Sequence, residues 1–530
     1  MKILLPLLLL LSGSAIQAQT NYKYRLFLSD KPDVEALLEH PEQLLSERAL
    51  SRRARQHIGL DGSDVPVSPS YLSFLRERGY EVVTTSRWMN TVVIGTEDSI
   101  GTDVFEAFPF VDKAELVWKE NQVQKSFFIE EQAELAPSMN LMREQILIHH
   151  GELLHDAGYR GEGMVVAVID AGFLNIDKNA DLLRQVVGTR DFVDPRSDIF
   201  STHPHGARVL STMASSDKSR LWGSAPNASY WLLRSEDSSS EFPVEEDYWI
   251  AAAEFADSVG VDVINSSLGY CQFDAPAKSY TWDALDGKTA YITRGASFAA
   301  RKGMVVVNSA GNERAEDWER LGFPGDCPDI LTVGAINPDR TCAYFSGAGF
   351  TDKGFVKPDV MALGNPAYVI YESNTVSEAS GTSFSAPILA GLVTCLWQSL
   401  PHLDSNELLS LIRENSSSFA TPDSLTGYGV PDMYQAFVHA TGTNVVLGDH
   451  QIQITPYPLR SGVWRITGLP PGADEFYLQI FNTSGIPVFK TRFRGEQYIF
   501  NMDHFGDGLY IVNIRNENFI YSQRINHNRR

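Results

Sequence analysis

The sequence is short of positive charge, of cysteine and of long apolar runs, and each shortage removes a class of protein. Its 530 residues carry 44 Lys and Arg against 66 Asp and Glu, a formal net charge of -22. Affinity for nucleic acid depends on basic contacts to phosphate, so a deficit of this size excludes a general nucleic-acid-binding surface. The four cysteines, Cys271, Cys327, Cys342 and Cys395, are too few and too scattered for a disulfide scaffold, and no CxxC or Cys/His spacing suggests zinc. A hydrophobic core must therefore supply stability. Cys327 and Cys342 flank a short apolar run and turn and are candidates for pairing, whereas Cys395 lies in an apolar helical segment and reads as a small buried hydrophobe. After the N-terminus no apolar run approaches the ~20 residues that a membrane helix needs.

What remains is ordinary globular material, 43% hydrophobic and 21% charged. A single core stops growing near roughly 250 to 300 residues, so several folded units are expected. Lys2, the apolar stretch Ile3 to Leu11 and the small residues leading to Ala18 have the order of a secretory signal peptide, residues 1–18. The basic residues Arg48, Arg52, Arg53 and Arg55 stand within a helix-like run and read as a solvated helix face.

Residues from Tyr22 to about Lys119 alternate strand and helix signals and predict a small α+β unit, set within a domain spanning 19–130. A polar, irregular stretch at 121–137 marks a linker or processing zone. Within 140–440 the pattern changes to apolar runs such as GMVVAVID, VDVINSSLG, KGMVVVNSAG and DILTVGA, separated by longer helical segments. That alternation predicts a mainly parallel sheet covered by helices, an α/β fold with its functional residues beyond the carboxyl ends of the strands. Residues 449–530 turn to short alternating strands with turn signals, as in GVWRITG and GLYIVNIRN, and predict a small all-β sandwich.

Polar residues at the strand ends carry the chemistry. In SGTSFSAP, Ser380 to Pro387, Gly381 permits a tight turn and Ser383 would open a buried helix, its hydroxyl presented at the N-terminus and its own N–H free to meet developing negative charge. Pro387 would fall near the first turn, where a missing N–H costs least. A nucleophile needs a base, and His205 of HGARVLSTMA offers a neutral imidazole; His203, two residues earlier, competes for that role. Asp170 ends the strand of MVVAVID and is placed to orient the imidazole. Asn312, in VVVNSAGN, is a side-chain donor for an oxyanion. Each residue alone has an ordinary structural reading as a helix cap, a turn former or a buried polar group.

The order Asp, His, Asn, Ser within VAVIDAGF, HGARVLSTMA, NSAGN and SGTSFSAP resembles the subtilisin-like serine peptidases, the subtilases of peptidase family S8, over about 300 residues. INSSLG, TVGA, KPDVMALG and GYGVPD support the resemblance. It implies a three-layer α/β/α catalytic domain and a serine endopeptidase acting through an acyl-enzyme, with Ser383 as nucleophile, His205 as general base and acid, Asp170 orienting His205, and Asn312 in the oxyanion hole. It further implies that Ser267, Leu268 and Gly269, with Ala310 and Gly311, line a cleft where a protein or peptide substrate lies as an added strand, which favours broad cleavage.

The same resemblance makes the N-terminal unit a propeptide that assists folding and inhibits its own enzyme within the chain. Through LQIFNTSGIPVF, GLYIVNI and the basic end Arg529 and Arg530, residues 449–530 resemble the sorting domain of the type IX secretion system. This implies a Gram-negative source and export through the periplasm to the medium or the cell surface. No cofactor is required, no metal ligands are predicted although structural calcium occurs in such enzymes, and a monomer is expected. Two departures stand out: Ala171 where the family has Thr or Ser, and HGAR where it has HGTH. A carboxyl-type serine peptidase would carry Asp at the Asn312 position, and a lipase-type esterase would need a GxSxG elbow that Ser383 lacks. An inactive scaffold used for binding is the rival from outside the enzymes, and the intact set of four residues speaks against it.

Overall fold

The computed structural model describes residues 20–32, 34–120, 139–217, 220–441, 452–456, 462–469, 475–482, 487–516 and 519–527. The expected signal peptide, the polar stretch 121–137, and Arg529 with Arg530 lie outside the described residues. The chain forms two compact units, divided after Met433.

The first unit begins with four strands, β1 (Tyr22–Leu28), β2 (Glu81–Ser86), β3 (Thr91–Thr96) and β4 (Val111–Lys119), forming an antiparallel sheet in the order β2-β3-β1-β4. Period-two alternation divides their side chains. Tyr24, Leu26, Val92 and Ile94 enter one small core with Leu75 of the helix Pro69–Glu77 and Phe105 of the helix Thr102–Glu106. Val93 and Val117 on the other face join Trp88 in a core shared with Trp249, Ala252, Tyr291 and Ala296 of the helices Val244–Val259 and Tyr291–Arg301.

Those two helices belong to the larger part of the unit, where seven parallel strands are ordered β11-β10-β9-β8-β5-β7-β6. These are β5 (Val165–Asp170), β6 (Val186–Asp191), β7 (Ser229–Arg234), β8 (Val263–Ser266), β9 (Val305–Ser309), β10 (Leu331–Ile336) and β11 (Val360–Leu363). The β8 to β11 strands are buried at every residue, as expected of a sheet covered on both faces. From β5 the chain builds β6 and β7 on one side and then β8 to β11 on the other, so the switch in strand order falls at the carboxyl end of β5, at Asp170. An antiparallel hairpin, β12 (Ala367–Ile370) and β13 (Val376–Ala379), leads into the long buried helix Thr382–Ser399.

Two expectations are corrected here. The basic run does not face solvent: Arg52 and Arg53, on the helix Glu47–Arg55, are 0% and 1% exposed. Both donate to Asp257 of the helix Val244–Val259, while Arg48 pairs with Asp262; Arg55 remains exposed. The face that periodicity assigns to water is covered by another part of the chain. Cys327 and Cys342 are not paired, and all four cysteines are free. Cys327 precedes β10 and Cys342 pairs beside its last residue, Ile336, so a strand of roughly 17 Å separates them. Cys395 is buried, as expected.

The second unit contains β14 (Gln453–Pro456), β15 (Val463–Thr467), β16 (Phe476–Asn482), β17 (Pro487–Phe493), β18 (Tyr498–Asn501), β19 (Gly508–Asn516) and β20 (Phe519–His527). Sheets ordered β14-β15-β18 and β17-β16-β19-β20 share a core that includes Ile454, Ile466, Leu478, Ile480, Phe500, Val512 and Ile514. This is the expected small antiparallel sandwich.

Candidate active site

Asp170, wholly buried at the end of β5, turns one oxygen toward the imidazole of His205. His205 Nδ1 stands 2.8 Å from Asp170 Oδ1, which also accepts from the N–H of Ala171 at 2.7 Å. An ionised carboxylate only accepts, so the contact fixes the proton on Nδ1 and turns Nε2 outward as the basic nitrogen. His205 opens the helix His205–Ala214 and is 24% exposed. A Cβ on Gly206 would come within 2.5 Å of Gly172 O and 2.8 Å of Asp170 Cβ, so the helix reaches the strand end only because residue 206 has no side chain. His203 takes a different place: its Nδ1 accepts from the backbone N–H of His205 at 3.3 Å, and burial followed by the neighbouring His205 lowers its pKa.

Ser383 is the second residue of the helix Thr382–Ser399, after Gly381 at a φ of 152°. Its Oγ lies 3.4 Å from the carbonyl of Ser267, and the ring of the next residue, Phe384, is 5.8 Å from that of His205. Asn312 Oδ1 accepts from Thr382 N–H at 2.9 Å and from the Thr382 hydroxyl at 3.0 Å. Both bonds hold the amide oxygen toward Thr382, which turns the NH2 end away from it. Thr382 Oγ1 in turn accepts from Gly311 N–H at 3.1 Å. Thr382 thus joins Asn312, Gly311 and the turn before Ser383, a role overlooked in reading SGTS for its serine alone.

Ser267, Leu268 and Gly269 follow β8, and Ala310, Gly311 and Asn312 follow β9, so the two segments flank Ser383 at the ends of neighbouring strands. Residues 322 and 323 bridge them: Gly322 packs on Gly269 and donates to Ala310 O at 3.1 Å, and Tyr270 and Phe323 exchange backbone hydrogen bonds at 2.9 Å. Pro387 sits in the sixth helical position rather than the first turn expected from the sequence. Arg208, the departure in HGAR, pairs with Glu372 at 2.8 Å and covers the ring of Tyr371 at 4.2 Å, which ties the His205 helix to the turn between β12 and β13.

Several acidic groups near this cleft escaped the sequence reading. Glu313 Oε2 is buried without a hydrogen-bond partner in the space a side chain on Gly311 would fill, and burial pushes the group up to about 7. Glu236, Glu241 and Glu245 each bring an oxygen within 4.8 Å of the others, the one such group among the described residues. Tyr270 O–H donates to Glu236, and the N–H groups of Asp237 and Phe242 donate to Glu245 at 2.9 and 3.2 Å. Burial, then the charge of Glu241, pushes Glu236 up to about 8, and burial raises Glu245 as well. The three carboxylates thus form one cluster in which burial and mutual repulsion disfavour charge on Glu236 and Glu245.

An imidazole held by a buried acid at the switch point of a parallel sheet, with a serine at a helix start and an amide beside it, defines a serine-type hydrolase. The model of the subtilase family matches residues 161–429, and that of the peptidase S8 propeptide domain of Bacteroidota matches residues 23–133. Subtilisin DY of Bacillus licheniformis is 30% identical over 266 residues, which are 50% of this chain and 86% of that protein. Subtilisin E of Bacillus subtilis (strain 168) is 31% identical over 251 residues, 47% of this chain and 59% of that protein. Among solved structures, the epidermin leader peptide processing serine protease of Staphylococcus aureus superposes with a TM-score of 0.55 at 14% identity, covering 80% of this chain and 99% of that one, a likeness of fold. The chain belongs to the subtilase family. It is a serine endopeptidase made as a precursor that carries its own propeptide.

Proposed function

We propose that Ser383 attacks the carbonyl of the scissile peptide bond while His205 Nε2 takes its proton. Asp170 keeps the imidazole in the tautomer with Nε2 unprotonated and stabilises the imidazolium that forms. The tetrahedral oxyanion is met by the N–H of Ser383 and the side-chain NH2 of Asn312. The imidazolium then protonates the leaving amine, and water repeats the sequence on the acyl-enzyme. Substrate pairs as an extended strand between Ser267–Gly269 and Ala310–Gly311, so main-chain contacts carry most of the affinity. All the reacting groups belong to the protein, and no cofactor enters this reading.

The observation that carries the assignment is the 2.8 Å contact between His205 and Asp170 in the cleft that holds Ser383 and Asn312. Purified protein compared with Ser383→Ala on a denatured protein substrate, with new peptide ends read by mass spectrometry, tests it. Digestion by the wild type alone is expected, and equal digestion by both overturns the nucleophile. The order of residues in 1–18 and the strand pattern of 449–530 support export by the type IX route, to the medium or the cell surface. Removing 449–530 then leaves the protein in the periplasm, as fractionation would show.

A further inference from the structure

Pro387 lies four residues after Ser383 in the helix Thr382–Ser399. In an α-helix the N–H of residue i bonds to the carbonyl of residue i−4, so residue 387 would ordinarily serve Ser383 O. Proline has no N–H, and its ring presses on that same carbonyl. The Ser383 carbonyl is therefore deprived of its helical donor in a region where Phe384 to Trp397 are buried. A buried carbonyl left without a donor is costly.

The hydroxyl of Ser267 stands in for it, donating to Ser383 O at 2.8 Å. The direction of that proton is set from behind. Asn265 Nδ2, wholly buried in β8, donates to Ser267 Oγ at 3.1 Å, which occupies the oxygen as an acceptor and leaves its hydrogen for Ser383. Residue 267 also meets residue 383 at the other end, where Ser383 Oγ approaches Ser267 O at 3.4 Å. Ser267 itself is 5% exposed, which keeps water from replacing its hydroxyl.

We infer that Ser267 is a positioning residue for Ser383, its hydroxyl supplying the hydrogen bond that Pro387 withholds and thereby locking the nucleophile to the substrate-bearing strand end. The inference rests on Ser383 being the nucleophile. The bond to Ser383 O fixes the plane of the Ser383–Phe384 peptide, and with it the direction of the Ser383 Cα–Cβ bond relative to a substrate lying along Ser267 to Gly269. The helix has given up an internal tie for one to the strand end beside it.

The test is a cycle of Ser267→Ala and Pro387→Ala made in the full chain, with active sites counted by fluorophosphonate labelling of Ser383 and kcat and KM measured on one peptide. Ser267→Ala is expected to lower kcat roughly tenfold, the effect of a few tenths of an ångström where about 1 Å costs ~100-fold, while KM moves by less than about twofold. In the Pro387→Ala background a backbone N–H is restored to Ser383 O, and the same substitution then costs about twofold or less. Ser267→Thr, which keeps the hydroxyl, retains most of the rate. Ser267→Cys, of similar shape but a weak donor, gives the same comparison should the alanine variant fail to mature. Equal losses in the two backgrounds, or no loss beside Pro387, overturn the inference. If Ser383→Ala digests protein as well as the wild type, the nucleophile itself is wrong; if it is dead while Ser267→Ala is unaffected, only the positioning role falls.

Discussion

Asp257 receives Arg52 on one carboxylate oxygen and Arg53 on the other, and all three side chains are shut off from solvent. Arg53 also reaches Asp64, which Lys302 holds from the far side at 3.0 Å. The network ties the propeptide to the catalytic domain through charges that neither part could bury alone. Removing one partner strands the others, and such losses run to roughly 3–5 kcal/mol for a buried pair. Asp257→Asn in the Ser383→Ala precursor should accordingly lower its thermal midpoint by several degrees. An unchanged melting curve would show that water reaches the two arginines.

Asp170→Asn should leave the fold intact and cut kcat by about 10⁴-fold, because an amide admits the wrong imidazole tautomer. Circular dichroism and active-site labelling separate this result from unfolding. A loss below tenfold would mean that another group orients His205.

Asn312→Ala should lower kcat by roughly 100 to 1,000-fold with little change in KM, the scale that a subtilisin shows for a donor of this kind. The oxyanion exists only after attack, so binding of the uncut peptide is spared. A matching rise in KM would place Asn312 in substrate binding.

Gly206→Ala should abolish activity and depress stability together, since its Cβ would meet Asp170 Cβ and Gly172 O at 2.8 and 2.5 Å. Expression of soluble, labelled enzyme from this variant would contradict the close approach of helix and strand.

Stability should also depend on pH in a stated direction. Burial pushes Glu236 up to about 8 and Glu246 up to about 7, against about 4.3 for glutamate in an unfolded chain. A raised folded pKa gives a contribution that is complete below the unfolded value and lost as pH rises through the folded one. His149, pushed down to about 4 by burial, acts in the opposite window: its contribution holds above about 6.5 and is lost as pH falls toward 4. Below pH 6.5 the two glutamates outweigh the one histidine, so on these groups the Ser383→Ala precursor should lose stability as pH rises from about 5 toward about 8, and adding Glu236→Gln should flatten that decline. An identical slope in both proteins would remove Glu236 as its source.

Much of this arrangement was legible in the chain. Buried parallel strands spell continuous apolar runs, so Asp170 at the end of one stands out, and Ser383 is marked by the turn before its helix; the Ser267 and Ala310 segments are picked out only by the resemblance to the subtilases. The helix face bearing Arg52 and Arg53 was not legible, because periodicity reports which side of a helix is polar and is silent on whether water or Asp257 lies opposite. The separation of Cys327 from Cys342 depends on β10 running straight between them. Glu313 looks like any acidic residue after a turn, and only the packing of Gly311 and Gly322 reveals where its carboxylate goes.

The position of β5 in the sheet has a bearing on when the enzyme becomes dangerous to its maker. Asp170 and His205 come from the early part of the domain, yet the helix that carries Ser383 is made only after the opposite edge of the sheet, β10 and β11, has been synthesised. A chain still emerging holds Asp170 and His205 before it holds Ser383. Ser383 is thus the last of the four site residues to be made, when the propeptide that precedes them all is already present to restrain it.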